Sequence, residues 1–306
     1  MHPAILRRVA RALVGVAATL WLSPAFAHAV CGNRIFPATL DINDPGVGDE
    51  LSAPTLAYLP QNSDGAQEFD ATFSWSKTIF PNFGVTIGDG ATWLKPGGYG
   101  WDSLNTEVQW GNFCLPDHEL MASVGATIIW GNTGTGSQTQ PYNVYQPVLD
   151  VGKGFGDLPK SLNVLRPFAV TAEVSESLPG QAWTNGNQNS TNLNWGFTIQ
   201  YSLPYYNSQV GEIDNEFFKH LIPIAEFAFS KPLYNFAPGT NQTTGTFQPG
   251  AVYLADKWQF ALEAVVPVNS ASGRGVGVVG SLDLYLDDIL PDSLGKPIFP
   301  AFPGVR

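Results

Sequence analysis

"LNWGFTIQYSL", residues 193–203, alternates without error: Leu193, Trp195, Phe197, Ile199, Tyr201 and Leu203 fall on one side, Asn194, Gly196, Thr198, Gln200 and Ser202 on the other. Successive side chains of an extended chain point to opposite faces, so this stretch reads as a strand with one apolar and one polar face. The fold turns on what the apolar face meets: a protein core or lipid.

The same period of two returns along the chain. "EFDATFSWS" sets Phe69, Ala71, Phe73 and Trp75 against Asp70, Thr72, Ser74 and Ser76. "FGVTI", "LNTEVQW", "LMASVGATIIW" and "PFAVTAEV" repeat it, "LIPIAEFAF" more weakly. "GAVYL" and "WQFALEAVV" flank the turn Ala255–Lys257 as a hairpin, and "GVVGSLDLYL" is the last such stretch. Between them lie loops rich in Gly, Asn, Thr, Ser and Pro. One helix is expected near Tyr145–Lys160.

Three features favour lipid. The alternating stretches approach the length of about nine to eleven residues that crosses a membrane at a tilt. Trp75, Trp93, Trp110, Trp130, Trp195 and Trp258 sit where an interfacial girdle needs aromatic rings. Charged residues make up 13 % of the chain, low for a soluble acidic protein. The expectation is therefore an all-β chain, a closed antiparallel transmembrane β-barrel of about 10–12 strands, since only a closed barrel satisfies every strand's backbone groups in lipid. The rival is a secreted soluble β-sandwich or barrel that binds a carbohydrate or apolar ligand; sandwich strands also alternate but run shorter. Connections early in the chain are short and several later ones long, without the short-and-long alternation that bacterial barrels show.

The N-terminus reads as a secretory signal peptide over residues 1–29: Arg7, Arg8 and Arg11, an apolar run from Ala12 to Leu22, then Ala25, Ala27 and Ala29 as a small-residue cleavage pattern. Its removal takes three Arg and no acid, moving the formal charge from −11 to −14. Phosphate backbones need clustered cations, so nucleic acid is a poor partner. Residues 30–64 form an N-terminal periplasmic or plug-like segment, 65–288 the barrel, and 289–306 a C-terminal tail. Export exposes the two cysteines, Cys31 and Cys114, to an oxidising compartment. A disulfide between them is expected to pin the N-terminal segment to the strand ending near Cys114, with two buried thiols as the alternative.

The chain carries no phosphate-binding loop, dinucleotide fingerprint or zinc-protease motif, so no cofactor and no metal is expected. His118 and His220 lie in separate stretches, and neither sits in a catalytic pattern. "DINDPGVGDE" lacks calcium-loop spacing because Pro45 takes a ligand position, so a solvated acidic turn is the expectation. Asp70, Glu107, Glu119, Glu173, Glu226, Glu263 and Asp283 all fall opposite the apolar residues of their stretches. In a barrel that parity sends them to the lumen, where they favour cations. The alternative is that Arg or Lys side chains neutralise them inside a filled barrel.

"PGAVYLADKWQFALEAVVPV", "GVGVVGSLDLYLDDILP" and "GKPIF", with "GKGFGDLP" and "LRPFAV" upstream, resemble porin-like outer-membrane proteins, in particular the meta-pathway phenol-degradation transporter group. The resemblance spans roughly residues 65–299. It implies a bacterial outer-membrane barrel in contact with lipid, allowing passive passage of small, hydrophobic molecules; the lumen acids add cationic ones, and with no good catalytic candidate the chain is expected not to be an enzyme. A pore-less structural or adhesive barrel is the further alternative.

Overall fold

The computed structural model describes residues 29–300; the expected signal peptide, apart from Ala29, and the end of the tail lie outside them. Twelve antiparallel strands form the barrel: β1 (Glu50–Leu59), β2 (Gln67–Phe80), β3 (Phe83–Lys95), β4 (Asn105–Leu115), β5 (Leu120–Ile129), β6 (Val144–Gly154), β7 (Phe168–Pro179), β8 (Thr191–Tyr201), β9 (Leu221–Tyr234), β10 (Thr244–Leu254), β11 (Trp258–Pro267) and β12 (Gly277–Tyr285). Each strand pairs with its sequence neighbours, and β12 closes the ring on β1, with Val278 opposite Tyr58 and Tyr285 opposite Glu50. Closure removes the sheet edges that would otherwise leave N–H and C=O groups unpaired.

The apolar face of residues 193–203 points outward. In β8, Ile199 is exposed while Thr198 and Gln200 are buried. Trp195 stacks on Phe229 and Phe197 on Phe227, which stacks in turn on Phe247, so an aromatic ladder runs across the outside of β8, β9 and β10. The inversion holds around the ring. Val124, Leu149, Val174 and Leu262 are exposed, whereas Glu226, Glu263, Gln259 and Thr171 are at most 1 % exposed. A water-soluble domain buries the first set and exposes the second; this barrel presents an apolar outer belt of the kind that hydrocarbon covers.

The two ends differ. Connections 60–66, 96–104, 130–143, 180–190, 235–243 and 268–276 form the loop end. Connections 81–82, 116–119, 155–167, 202–220 and 255–257 form the end that also carries both chain termini. Two of the latter are long because they hold local structure. Residues 155–167 contain a 3-10 turn at Lys160–Leu165. Residues 202–220 contain α1 (Leu203–Gln209), capped by the Ser202 side chain accepting from the Tyr205 N–H, and α2 (Glu216–Lys219), capped likewise by Asn215.

Several expectations are corrected. The helix expected near Tyr145–Lys160 is strand β6 followed by the 3-10 turn. Leu203 is not on a strand: Tyr201 ends β8 and Leu203 opens α1. The barrel begins at Glu50 rather than residue 65, because Glu50–Leu59, assigned to the N-terminal segment, is the strand that closes the ring. "DINDPGVGDE" is no surface turn: it passes along barrel side chains inside the ring, with Ile42, Pro45 and Asp49 buried and Asp41 and Asn43 left exposed. Glu119 is not on a strand but in the connection between β4 and β5.

Past β12 the chain forms α3 (Leu286–Ile289) and returns beneath β2. There the Ile298 and Phe299 N–H groups donate to the Thr78 and Ile79 carbonyls, and Phe299 stacks on Phe80 at 5.1 Å.

Candidate functional site in the barrel lumen

Residues 37–48 run through the lumen as a plug held chiefly by its backbone. The Glu226 carboxylate accepts the N–H groups of Leu40 and Asp41, and Glu173 accepts that of Asn43 at 3.2 Å. The Gln259 amide donates to the Ala38 carbonyl and the Gln109 amide to that of Asp44. Asp41 in turn accepts from Thr246 and Gln248. Glycine makes the space: a Cβ on Gly196 would lie 2.2 Å from Ile42 Cδ1, and one on Gly84 2.6 Å from Val47 Cγ1.

Beneath the plug the lumen is filled. Ile222, Ile224, Val252, Leu254, Ala261 and Tyr285 form a buried apolar cluster against Ile35 and Leu40 of the N-terminal segment. Ile35 and Leu40 are only partly buried there, so each adds less than the about 1.5–3 kcal/mol that full burial of a large aliphatic side chain brings. A hairpin, Ala29–Cys31 with Arg34–Phe36, closes this end. The Cys31–Cys114 disulfide ties it to the end of β4. Arg34, fully buried, donates to Glu119 at 3.1 Å and to the carbonyls of Arg166 and Pro167, and lies 3.9 Å over the Tyr205 ring. Burial holds this guanidinium below its ordinary value, with Glu119 opposing the shift.

Two cavities flank the plug. The larger, about 510 Å³, reaches from Ser63 and Ser272 at the loop end down to Asp41 and Glu173. The smaller, about 280 Å³, lies between the plug and β12, β1, β2, β3 and β4, with Glu50, Glu107 and Asp283 on its wall. Asp44, on the plug beside the smaller cavity, is pushed up to about 7 by burial, with Asp283 adding to the shift and the Gly46 N–H opposing it.

The sequence-derived acids divide by surroundings. Asp70 accepts from Thr92, Glu173 from Ser175 and Asn43, and Asp283 from Gln259 and Ser281. Glu263 is buried with neither carboxylate oxygen bonded. Glu107 faces the smaller cavity. Among the seven, Glu119 is the one with an ion pair recorded among the described residues; the others meet hydroxyl, amide and peptide groups or cavity. Sequence reading missed Asp41, Asp44, Glu50 and Asp150, which join them in the lumen. Asp150 is fully buried beside Ser123 and Gln109. Alternation within β6 was its signal, obscured there by Pro147 and Gly152.

Of the tryptophans, Trp75, Trp110 and Trp258 lie toward the end that carries the termini, and Trp93, Trp130 and Trp195 toward the loop end. The histidines stand apart. His118 Nδ1 faces Asp157 at 3.2 Å, on a carboxylate shared with Lys153, while His220 Nδ1 faces the Leu254 carbonyl.

No family model and no curated protein matches this sequence. Solved structures do. An outer membrane channel from Pseudomonas putida F1 superposes with a TM-score of 0.55 at 9 % identity, covering 82 % of this chain and 99 % of that one. The NanC porin gives 0.49 at 8 % identity over 76 % and 98 %, and LpxR from Salmonella typhimurium 0.43 at 12 % over 77 % and 99 %. At such identities the likeness is one of fold: the chain has the closed antiparallel barrel of outer-membrane proteins.

Proposed function

We propose that this chain is exported by its N-terminal signal, resides in the bacterial outer membrane, and lets small solutes, cations above all, pass passively once its plug is displaced. One observation carries the reading: carboxylates from β4, β6, β7, β9 and β11 face the interior, where Asp150, Glu173 and Glu226 meet peptide, amide and hydroxyl groups and Glu263 has no bonded partner. Uncompensated carboxylates in an aqueous passage attract cations and repel anions. The polar walls support a hydrophilic solute over the hydrophobic one that the phenol-degradation resemblance implies. The tryptophans toward each end act as interfacial anchors in this reading, and residues 29–49 as the closing unit.

The pore-less alternative draws on the apolar cluster that fills the lumen beneath the plug. Flux through proteoliposomes separates the two. Wild-type vesicles should leak small cations slowly, and vesicles carrying Glu173→Gln with Glu226→Gln several-fold faster. Equal tightness of both to every solute supports the structural barrel. A soluble secreted protein would need its exposed belt of Val124, Leu149 and Leu262 covered in water. An outer-membrane band whose gel mobility changes on boiling tests that.

A further inference from the structure

The end that carries the termini projects apolar side chains outside the ring, on connections rather than on strands. We propose that these segments form a collar seated in the lipid leaflet around that end, each dipping into the boundary between headgroups and acyl chains. The inference rests on the outer-membrane reading above and adds the surface by which the plugged end meets lipid.

Three sectors carry the collar. In the connection 155–167, Val164 is 63 % exposed, with Leu162 and Leu165 exposed beside it. The Tyr201 hydroxyl donates to the Val164 carbonyl at 3.2 Å, and Tyr201, next to the inward Gln200, belongs to the outer face of β8. In the connection 202–220, Phe217 and Phe218 are exposed between the paired charges of Glu216 and Lys219. The Phe217 ring lies 5.4 Å from that of Tyr253, which stacks in turn on Trp258. Tyr253 stands between the buried Val252 and Leu254, so it too faces outward. In the tail, Ile298 and Phe299 are exposed, with Phe299 stacked on Phe80. Phe80 pairs across its hairpin with Phe83, whose neighbour Gly84 faces the plug, so both rings point away from the lumen.

The layout selects the partner. Large apolar groups left in water forgo their burial free energy, and grouped together they mark a surface that something covers. The sectors lie against β8, against β10, and at the β2–β3 hairpin beyond β11, β12 and β1. A protein partner covers one contiguous patch, whereas a leaflet encircles the barrel and reaches all three together. Each sector also continues the outer belt without a break, through Tyr201, through Tyr253 or through Phe80 and Phe83. Interfacial segments of this kind bury their apolar side about 5–10 Å into the boundary while their charges, here Glu216 and Lys219, stay in water. Connections 155–167 and 202–220 also hold the plug's hairpin, through the Arg166 and Pro167 carbonyls and the Tyr205 ring on Arg34. The leaflet thus supports the parts that close the lumen.

The test uses the full chain in phosphatidylcholine nanodiscs, with the methyl groups of Ile, Leu and Val observed by NMR. Two probes are compared: a phospholipid carrying a nitroxide at the headgroup end of its acyl chain, and a water-soluble gadolinium chelate. Leu149 on the outer belt and Ile222, buried in the lumen, serve as references. The methyl signals of Leu162, Val164, Leu165 and Ile298 should broaden severalfold more with the lipid nitroxide than with the chelate, as should those of Leu149, while Ile222 answers to neither. Broadening of the collar by the chelate alone overturns the assignment and leaves these residues to water or a soluble partner. If Leu149 also answers only to the chelate, the outer-membrane reading has failed with it. If Leu149 answers to the nitroxide and the collar only to the chelate, the collar alone has failed.

Discussion

The Glu226 carboxylate accepts the Leu40 N–H at 3.1 Å and the Asp41 N–H at 2.8 Å, so a single barrel side chain grips two consecutive peptide groups of the plug. A charge-assisted hydrogen bond contributes about 1.5–3 kcal/mol. Glu226→Gln preserves shape and removes the charge. Amide exchange at Leu40 and Asp41 should accelerate by about ten- to a hundredfold, equivalent to about 1.4–2.8 kcal/mol. Unchanged protection would place the plug's hold elsewhere, in Ile35 and Leu40.

Acidity should tighten this closure. Asp44 is raised to about 7, chiefly by burial, and so is Asp287 in α3, where Asp49 and Asp288 add to the shift while its own N–H and Lys77 oppose it. Asp44 is faced electrostatically by Asp283, Glu50, Glu107 and Asp150. An ordinary Asp in the unfolded chain titrates near pH 3.9, so the folded form holds these protons more tightly. Their stabilising contribution is full below about pH 4 and is lost as pH rises to about 7. The melting temperature should fall across that window. Asp44→Asn combined with Asp287→Asn should make the fall shallower; a curve of unchanged slope refutes the assignment.

The Cys31–Cys114 bridge spans 83 residues of sequence and anchors the end hairpin to β4. Removing a bridge typically costs about 2–4 kcal/mol. Cys31→Ser with Cys114→Ser should lower the denaturant midpoint accordingly, while the barrel still shifts its gel mobility on boiling. A midpoint equal to wild type would show that Arg34 and Phe36 suffice to hold the hairpin.

Leu149, near the middle of β6, is 42 % exposed on the outer belt. Leu149→Arg should destabilise folding into lipid vesicles by about 2–4 kcal/mol, the penalty for a cation at the midplane of a lipid face. A cost below about 1 kcal/mol would move this residue out of the hydrocarbon.

The barrel was legible where outward apolar and inward polar residues alternate cleanly, as in β8, β2 and β5. β1 escaped notice because Pro54 and a register shift between Ser52 and Thr55 interrupt its alternation. β6 was mistaken for a helix because Pro147 and Gly152 break its apolar rhythm. The uneven connections became intelligible only with α1, α2 and the 3-10 turn at the end that carries the termini. A plug-like segment was expected over 30–64, but how it seats was not legible, since Leu40, Asp41 and Asn43 are gripped largely through peptide N–H groups that every non-proline residue owns. Inward glycines such as Gly84 and Gly196, which make room for it, are a further trace.

The most direct test of the account is the reversal potential of the Glu173→Gln, Glu226→Gln double variant in a planar bilayer across a salt gradient. Other lumen carboxylates, Asp41 and Asp283 among them, remain in that variant. We predict a measurable conductance, larger than that of wild type, with a reversal potential of the sign set by cation preference. Anion preference, or a bilayer as silent as one without protein, would contradict it.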